Sequence, residues 1–199
     1  TGAVAELITH DPAGRYHPSL IWVPVPKTLT DWVDHTWTYD AEAEALAPAS
    51  LDDLVSEAAA RLAAIRYGHQ TTGAVYDGHA YHTDTEGRQA ITGAVVGAQA
   101  YEAVHGEGSF STVWKARDGF VTLDRPGLIA AGQAVLDHVQ ACFAREAEIL
   151  AALQTAASAP GASAETVIAV YTTEIDPGWP TTNTPNDTPN DTPNDTEEA

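Results

Sequence analysis

Residues 111–146 read STVWKARDGFVTLDRPGLIAAGQAVLDHVQACFARE, and this stretch decides the fold. Ser111 to Lys115 alternates as a strand does, with Val113 on one face and Trp114 on the other. Arg117-Asp118-Gly119 is a turn, because Asp-Gly tolerates the positive φ that a short hairpin needs. Phe120 to Leu123 is the return strand. Asp124 stands where a helix N-cap belongs, with Pro126 in the first turn, where its missing N–H costs least. Beyond it Ile129, Leu136, Phe143 and Leu150 recur every seven residues. Leu128, Val135, Cys142 and Ile149 form the adjacent series, with Val139 and Leu153 between the two. This wide apolar stripe runs for about 30 residues, or roughly 45 Å of helix. A seven-residue beat alone favours a core helix lying on a small sheet; the sharper reading is a seam shared between subunits.

The packing expected from this stretch is definite. Hairpin and helix are joined by almost no linker, so Trp114, Phe120, Leu136, Val139 and Phe143 should be buried together. Truncating Phe143 to alanine would then cost about 3–5 kcal/mol. The two adjacent series, led by Leu128 and Ile129, would also suit a three-stranded seam. The candidate interface is therefore Leu128, Ile129, Val135, Leu136, Val139, Phe143, Leu150 and Leu153.

Upstream, Ala3 to Ile8 is expected as a first strand, His10 to Gly14 as a turn cluster, and Ser19 to Val25 as an edge strand that tolerates Pro24. Thr36 to Asp40 should be another strand, and Ala41 to Ala49 a linker. Trp22, Trp32 and Trp37 are expected as core, with a sugar-binding face as the sharper alternative. Ser50, with Asp53 three residues on, opens a helix whose apolar face is Leu51, Leu54, Val55, Ala58, Leu62 and Ile65, and Gly68 should end it. Gly73 to Thr83 reads as a hairpin turning at Asp77-Gly78. A second helix should run from Thr85 to about Tyr101, its Gly93 and Gly97 leaving a smooth face for the long helix. After Pro160-Gly161, the β-branched run from Glu165 to Ile175 suggests a late strand. From Thr184 the unit Thr-Pro-Asn-Asp repeats three times, a composition that cannot build a core and reads as a disordered tail.

The predicted fold class is thus α+β. A small N-terminal β unit (1–49) precedes a helix–hairpin–helix–hairpin–long-helix domain (50–158), then a late strand and linker (159–180) and the repeat tail (181–199).

Nine basic residues against 28 acidic ones give a net charge of −19. The phosphate-neutralising contribution to nucleic-acid binding is missing, and an anionic membrane is disfavoured for the same reason. No apolar run reaches membrane-spanning length and no signal peptide is visible, so synthesis in a cytoplasm is expected. The single cysteine, Cys142, reads as a buried free thiol with no activating base evident. His79 and His82 point to opposite faces of one strand and cannot share a metal; His10 and His17 lack a third ligand nearby. His138 lies beside the apolar stripe and is expected partly exposed and hydrogen-bonded. Phosphate-loop, Gly-x-Ser-x-Gly, His-Glu-x-x-His and calcium-loop patterns are missing, so neither a catalytic residue nor a cofactor or metal site is expected.

VWKARDGFVTL followed by AVLDHVQACFARE resembles the domain-of-unknown-function family 4376 of tailed bacteriophages. Tyr81-His82-Thr83-Asp84 and Arg88 to Ala94 match in the same order, although Arg88 stands where many members carry a small polar residue. The resemblance covers roughly Arg66 to Leu153. Members are encoded among tail, tail-fibre and fibre-assembly genes, so it implies a context and no reaction. On it rests the expectation of a non-catalytic virion protein of the tail: a tail-tip, baseplate or fibre component, homotrimeric, partnered by other tail proteins, with a host surface glycan as a further candidate partner. The alternatives are an assembly chaperone not retained in the virion and a glycan- or wall-cleaving enzyme.

Overall fold

The computed structural model describes residues 2–4, 6–9, 11–12, 15–17 and 19–181. The repeats from Thr184 and His10 lie outside the described residues. The fold is mixed α/β, with short strands, small hairpin sheets and four helices among the described residues. No helix described is long and apolar enough to cross a membrane. The chain divides into two compact units, one joining Thr1–Tyr67 to Phe143–Trp179 and one built on Gly68–Cys142. These divisions fall inside helices rather than at residues 49 and 158.

The first unit begins with a three-stranded antiparallel sheet, β1 (Gly2–Ala3), β2 (Thr38–Asp40) and β3 (Ala45–Ala47). Gly2 and Leu46 both face Tyr39 across the ladders. The expected linker after Asp40 is instead a turn into β3: Asp40 Oδ1 accepts the N–H groups of Glu42 and Ala43 and closes it. Of the strand expected over residues 3–8, only Ala3 falls in a ladder among the described residues, with Val4 N–H donating to Trp37 O at 3.0 Å just beyond it, and 19–25 forms no strand. Pro24 and Pro26 withhold ladder donors there, and the chain passes into a 3-10 turn at Lys27–Leu29 that buries Leu29.

Helix α1 (Leu51–Gln70) starts as read, with Ser50 Oγ accepting Asp53 N–H at 3.0 Å. It runs through Gly68 rather than stopping there. Leu54, Ala58 and Leu62, one turn apart, are buried. The expected late strand is a helix, α4 (Ala164–Glu174). Ser163 caps it by accepting Thr166 N–H, and Val167, Ile168 and Tyr171 are buried at helical spacing. Periodicity and a good cap outweigh the weak β preference of Thr, Val and Ile. Arg145 fastens α4: its guanidinium donates to Glu174 Oε2 at 2.8 Å, Glu174 O at 2.9 Å and Pro177 O at 3.1 Å. Trp32 and Trp37 are buried core. Trp32 meets Tyr171 edge-on with ring centroids 5.0 Å apart, and Arg61 lies 4.0 Å over its ring. Full burial of each such aliphatic or aromatic side chain stabilises by roughly 1.5–3 kcal/mol.

The second unit holds two hairpins and a helix pair. Strands β4 (Ala74–Tyr76) and β5 (His79–Tyr81) turn at Asp77-Gly78, both at positive φ, as a two-residue hairpin loop requires. Strands β6 (Ser111–Ala116) and β7 (Gly119–Asp124) turn at Arg117-Asp118. Helix α2 (Thr85–His105) is capped by Asp84 Oδ1, which accepts Gly87 N–H at 2.7 Å. Helix α3 (Arg125–Ser158) opens with Asp124 Oδ1 accepting Gly127 N–H at 2.8 Å and continues into the first unit. Tyr81, Ile91, Ala98, Leu123, Leu128, Ala131 and Val135 make the core here, with Trp114 packed against it.

The expected close approach of α2 and α3 uses a different glycine. Gly93 and Gly97 are exposed and face open space. Gly132 of α3 is the one opposite α2, where a Cβ would lie 3.7 Å from Val95 and 3.8 Å from Ile91.

Candidate assembly interface

The two seven-residue series of α3 part company. Leu128, Val135, Cys142 and Ile149 are all buried, as are Val139 and Leu153. Ile129, Leu136 and Phe143 point outward, 39%, 46% and 47% exposed, and Leu150 is half-buried. Four of the eight candidate interface residues, Leu128, Val135, Val139 and Leu153, are therefore core. The expected joint burial of Trp114, Phe120, Leu136, Val139 and Phe143 fails for three of them. Phe120 is 73% exposed because it shares the outward face of its hairpin with Val113. Leu136 and Phe143 belong to the outward series, and a helix cannot turn two adjacent series to one small core.

In the second unit the outward residues edge a groove between α2 and α3 with a volume of about 380 Å³. Ile91, Val95, Val96, Ile129, Val135 and Leu136 supply its apolar lining, and Arg88 carries the only charge there among the described residues. A chain of net charge −19 thus keeps acidic groups off this face. In the first unit Phe143 is roofed by Arg66, 4.5 Å from the ring, and Arg66 is held by Glu146 at 3.1 Å.

Of the candidate tryptophan surface, only Trp22 retains a half-buried ring, tilted against Tyr16 at 4.6 Å. Trp32 and Trp37 are inaccessible as ligand platforms.

The hairpin residues quoted above have largely architectural duties. Asp118 accepts Ala80 N–H at 3.2 Å and lies 3.3 Å from His79 Nδ1. Partial desolvation pushes its carboxyl up, but its own backbone N–H, Ala80 N–H and His79 together hold it below the usual carboxylate value. Arg117 N–H donates to Ala80 O at 2.7 Å, and its guanidinium bonds the carbonyls of Thr71 and Thr72. The buried Thr83 hydroxyl accepts Gly73 N–H at 3.0 Å. Between α2 and the start of α3, the nearly buried Glu102 lies 2.5 Å from Arg125.

One pairing went unread in the sequence. His138 is buried rather than partly exposed, and its Nε2 lies 3.9 Å from Cys142 Sγ. Their four-residue spacing on a helix is the signal that could have revealed it. The same Nε2 is 3.1 Å from His69 O, which can only accept, so this nitrogen carries the proton and cannot take one from the thiol. Among the described residues no three histidine, cysteine or acidic side chains group as a metal site.

The model of a domain of unknown function, DUF4376, matches residues 53–173, well over half of the 199 residues. The chain belongs to the DUF4376 family. No curated protein and no solved structure matches it. The DUF4376 span is wider than the stretch from which the resemblance was read, reaching from the first turns of α1 to the last turn of α4. It includes the α2–α3 groove, both hairpins and the His138–Cys142 pair, and it leaves out the three-stranded sheet and Trp32.

Proposed function

We propose that the chain is a non-catalytic structural protein of a bacteriophage tail, acting by assembly through the α2–α3 face of its second unit. The phage setting is the one implied by resemblance to members encoded among tail genes. The observation that carries the assembly reading is the groove edged by Ile129, Leu136 and Val96, whose apolar side chains stay open to solvent on a strongly acidic chain. Exposed apolar surface rimmed by polar groups marks contact sites, and burying it gains roughly 25 cal/mol per Å². The partners are further copies and other tail proteins. A three-stranded seam built on both series of α3 is no longer available, because one series is core. Threefold order now rests on the tail context, with contact through the outward series alone.

Mass spectrometry of purified virions tests the reading: a structural component is present at fixed stoichiometry, and an assembly chaperone is absent. Light scattering of the isolated protein tests the face, since Leu136→Glu should lower the assembly state without lowering the melting temperature.

A further inference from the structure

Two stretches that carry the resemblance, Tyr81–Asp84 and the one around Trp114, lie far apart in sequence and meet at one cleft in the second unit. Its volume is about 300 Å³, and Tyr81, His82, Asp84, Glu86, Trp114 and Lys115 line it. Architecture explains only part of this set. Asp84 spends Oδ1 on capping α2, and one side of Trp114 packs on the core. His82, Glu86 and Lys115 are exposed, with His82 Nδ1 3.7 Å from Asp84 Oδ2. Tyr81 is 1% exposed, and its hydroxyl meets no hydrogen-bond partner among the described residues. A buried hydroxyl left so is uncommon and invites one.

We propose that this cleft binds a single neutral or amino sugar ring. The half-buried indole and the nearby Ala90 and Ile91 offer a small apolar wall. Around it stand the carboxylates of Asp84 and Glu86 as acceptors, Lys115 as a donor, and His82, which can serve as either. A polyol with one C–H face and several hydroxyls matches that arrangement. An aromatic wall with a few convergent polar groups is the common form of small-molecule sites, and this volume is at the lower end of their range. It suits one ring rather than a length of polymer. Carboxylates outnumber the ammonium group at the cleft, and the whole chain is acidic, which disfavours phosphorylated or uronate ligands. Buried Ile91 lines both this cleft and the α2–α3 groove, but the exposed residues that carry the assembly reading, Ile129, Leu136 and Val96, take no part here, so the two readings fail separately.

The test is a titration of the 15N-labelled full chain with glucose, galactose, N-acetylglucosamine and glucosamine. The indole N–H signal of Trp114, assigned by its loss in Trp114→Phe, is followed throughout. At least one sugar should move it saturably in the millimolar range. The double variant Glu86→Gln, Lys115→Ala removes two exposed side chains that make no hydrogen bond or ion pair among the described residues. Its binding should be weaker by at least about tenfold, with melting unchanged. A Trp114 signal unmoved by all four sugars, equal movement with glycerol, or undiminished affinity in the double variant overturns the proposal.

Discussion

Asp118 sits in a two-residue turn, yet its carboxylate serves the neighbouring hairpin. Its ordinary reading as turn chemistry was sound as far as it went; the Ala80 and His79 contacts could not be foreseen, because they join residues far apart in sequence. Replacing Asp118 by alanine should speed hydrogen exchange at the Ala80 amide, and an unchanged rate would show that the carboxylate does not hold the junction. Acid should loosen it as well. The folded-state pKa of Asp118 is lowered, so its stabilisation is complete above the ordinary carboxylate value and is lost as pH falls through the lowered one. Asp34 is lowered by the Thr36 hydroxyl and N–H, and Asp40 by the Ala43 and Glu42 N–H groups, so both act with the same sign. Urea midpoints should fall between about pH 5 and pH 2, and by less in Asp118→Asn. Arg145 is a stronger single dependence: Arg145→Met removes one charged donor shared by two carbonyls and Glu174, all open in part to water, which should cost about 1–2 kcal/mol by chemical denaturation.

At the scale of elements, α3 divides its apolar residues between inside and outside, and two substitutions measure the division. Ile149→Ala removes a fully buried side chain and should cost about 2–5 kcal/mol. Phe143→Ala removes a half-exposed ring whose main partner is Arg66, so its cost should be nearer 1 kcal/mol. Comparable losses would mean that the outward series is covered by the chain itself. Gly132→Ala should raise stability by roughly 0.5–1 kcal/mol, because the added methyl reaches ordinary contact distance from Val95 and Ile91 and a flexible helix residue is removed. The hairpins and the starts of α1, α2 and α3 were legible because Asp-Gly turns and side-chain caps are local signals. Helix α4 was misread because its β-branched run outweighed two local signals, the Ser163 cap and the helical spacing of Val167, Ile168 and Tyr171. The division within α3 could not be read at all, since adjacent heptad series look alike until a sheet and a second helix choose between them.

For the whole molecule, charge and apolar surface oppose each other. A net charge of −19 resists self-association, and salt screens that repulsion while leaving apolar contact intact. Raising ionic strength should therefore increase the scattering mass of the parent and leave Leu136→Glu dispersed; a mass that falls with salt would point to ion pairs instead. The DUF4376 match leaves out residues 1–52, but Trp32 from that segment packs on Tyr171 within the match. A fragment limited to 53–173 should melt lower than the full chain, which differential scanning calorimetry would register. The two units also differ in how they are cut from the chain. Apart from Pro180 and Thr181, one is continuous from Gly68 to Cys142, whereas the other needs residues 1–67 and 143–179 together. During synthesis the continuous unit can close as soon as its own residues clear the ribosome. The other must hold Trp32, Trp37 and the apolar face of α1 open until α4 emerges. Its N-terminal half is thus made before the continuous unit and completed after it, and for that interval it is the part of the two units most in need of a chaperone.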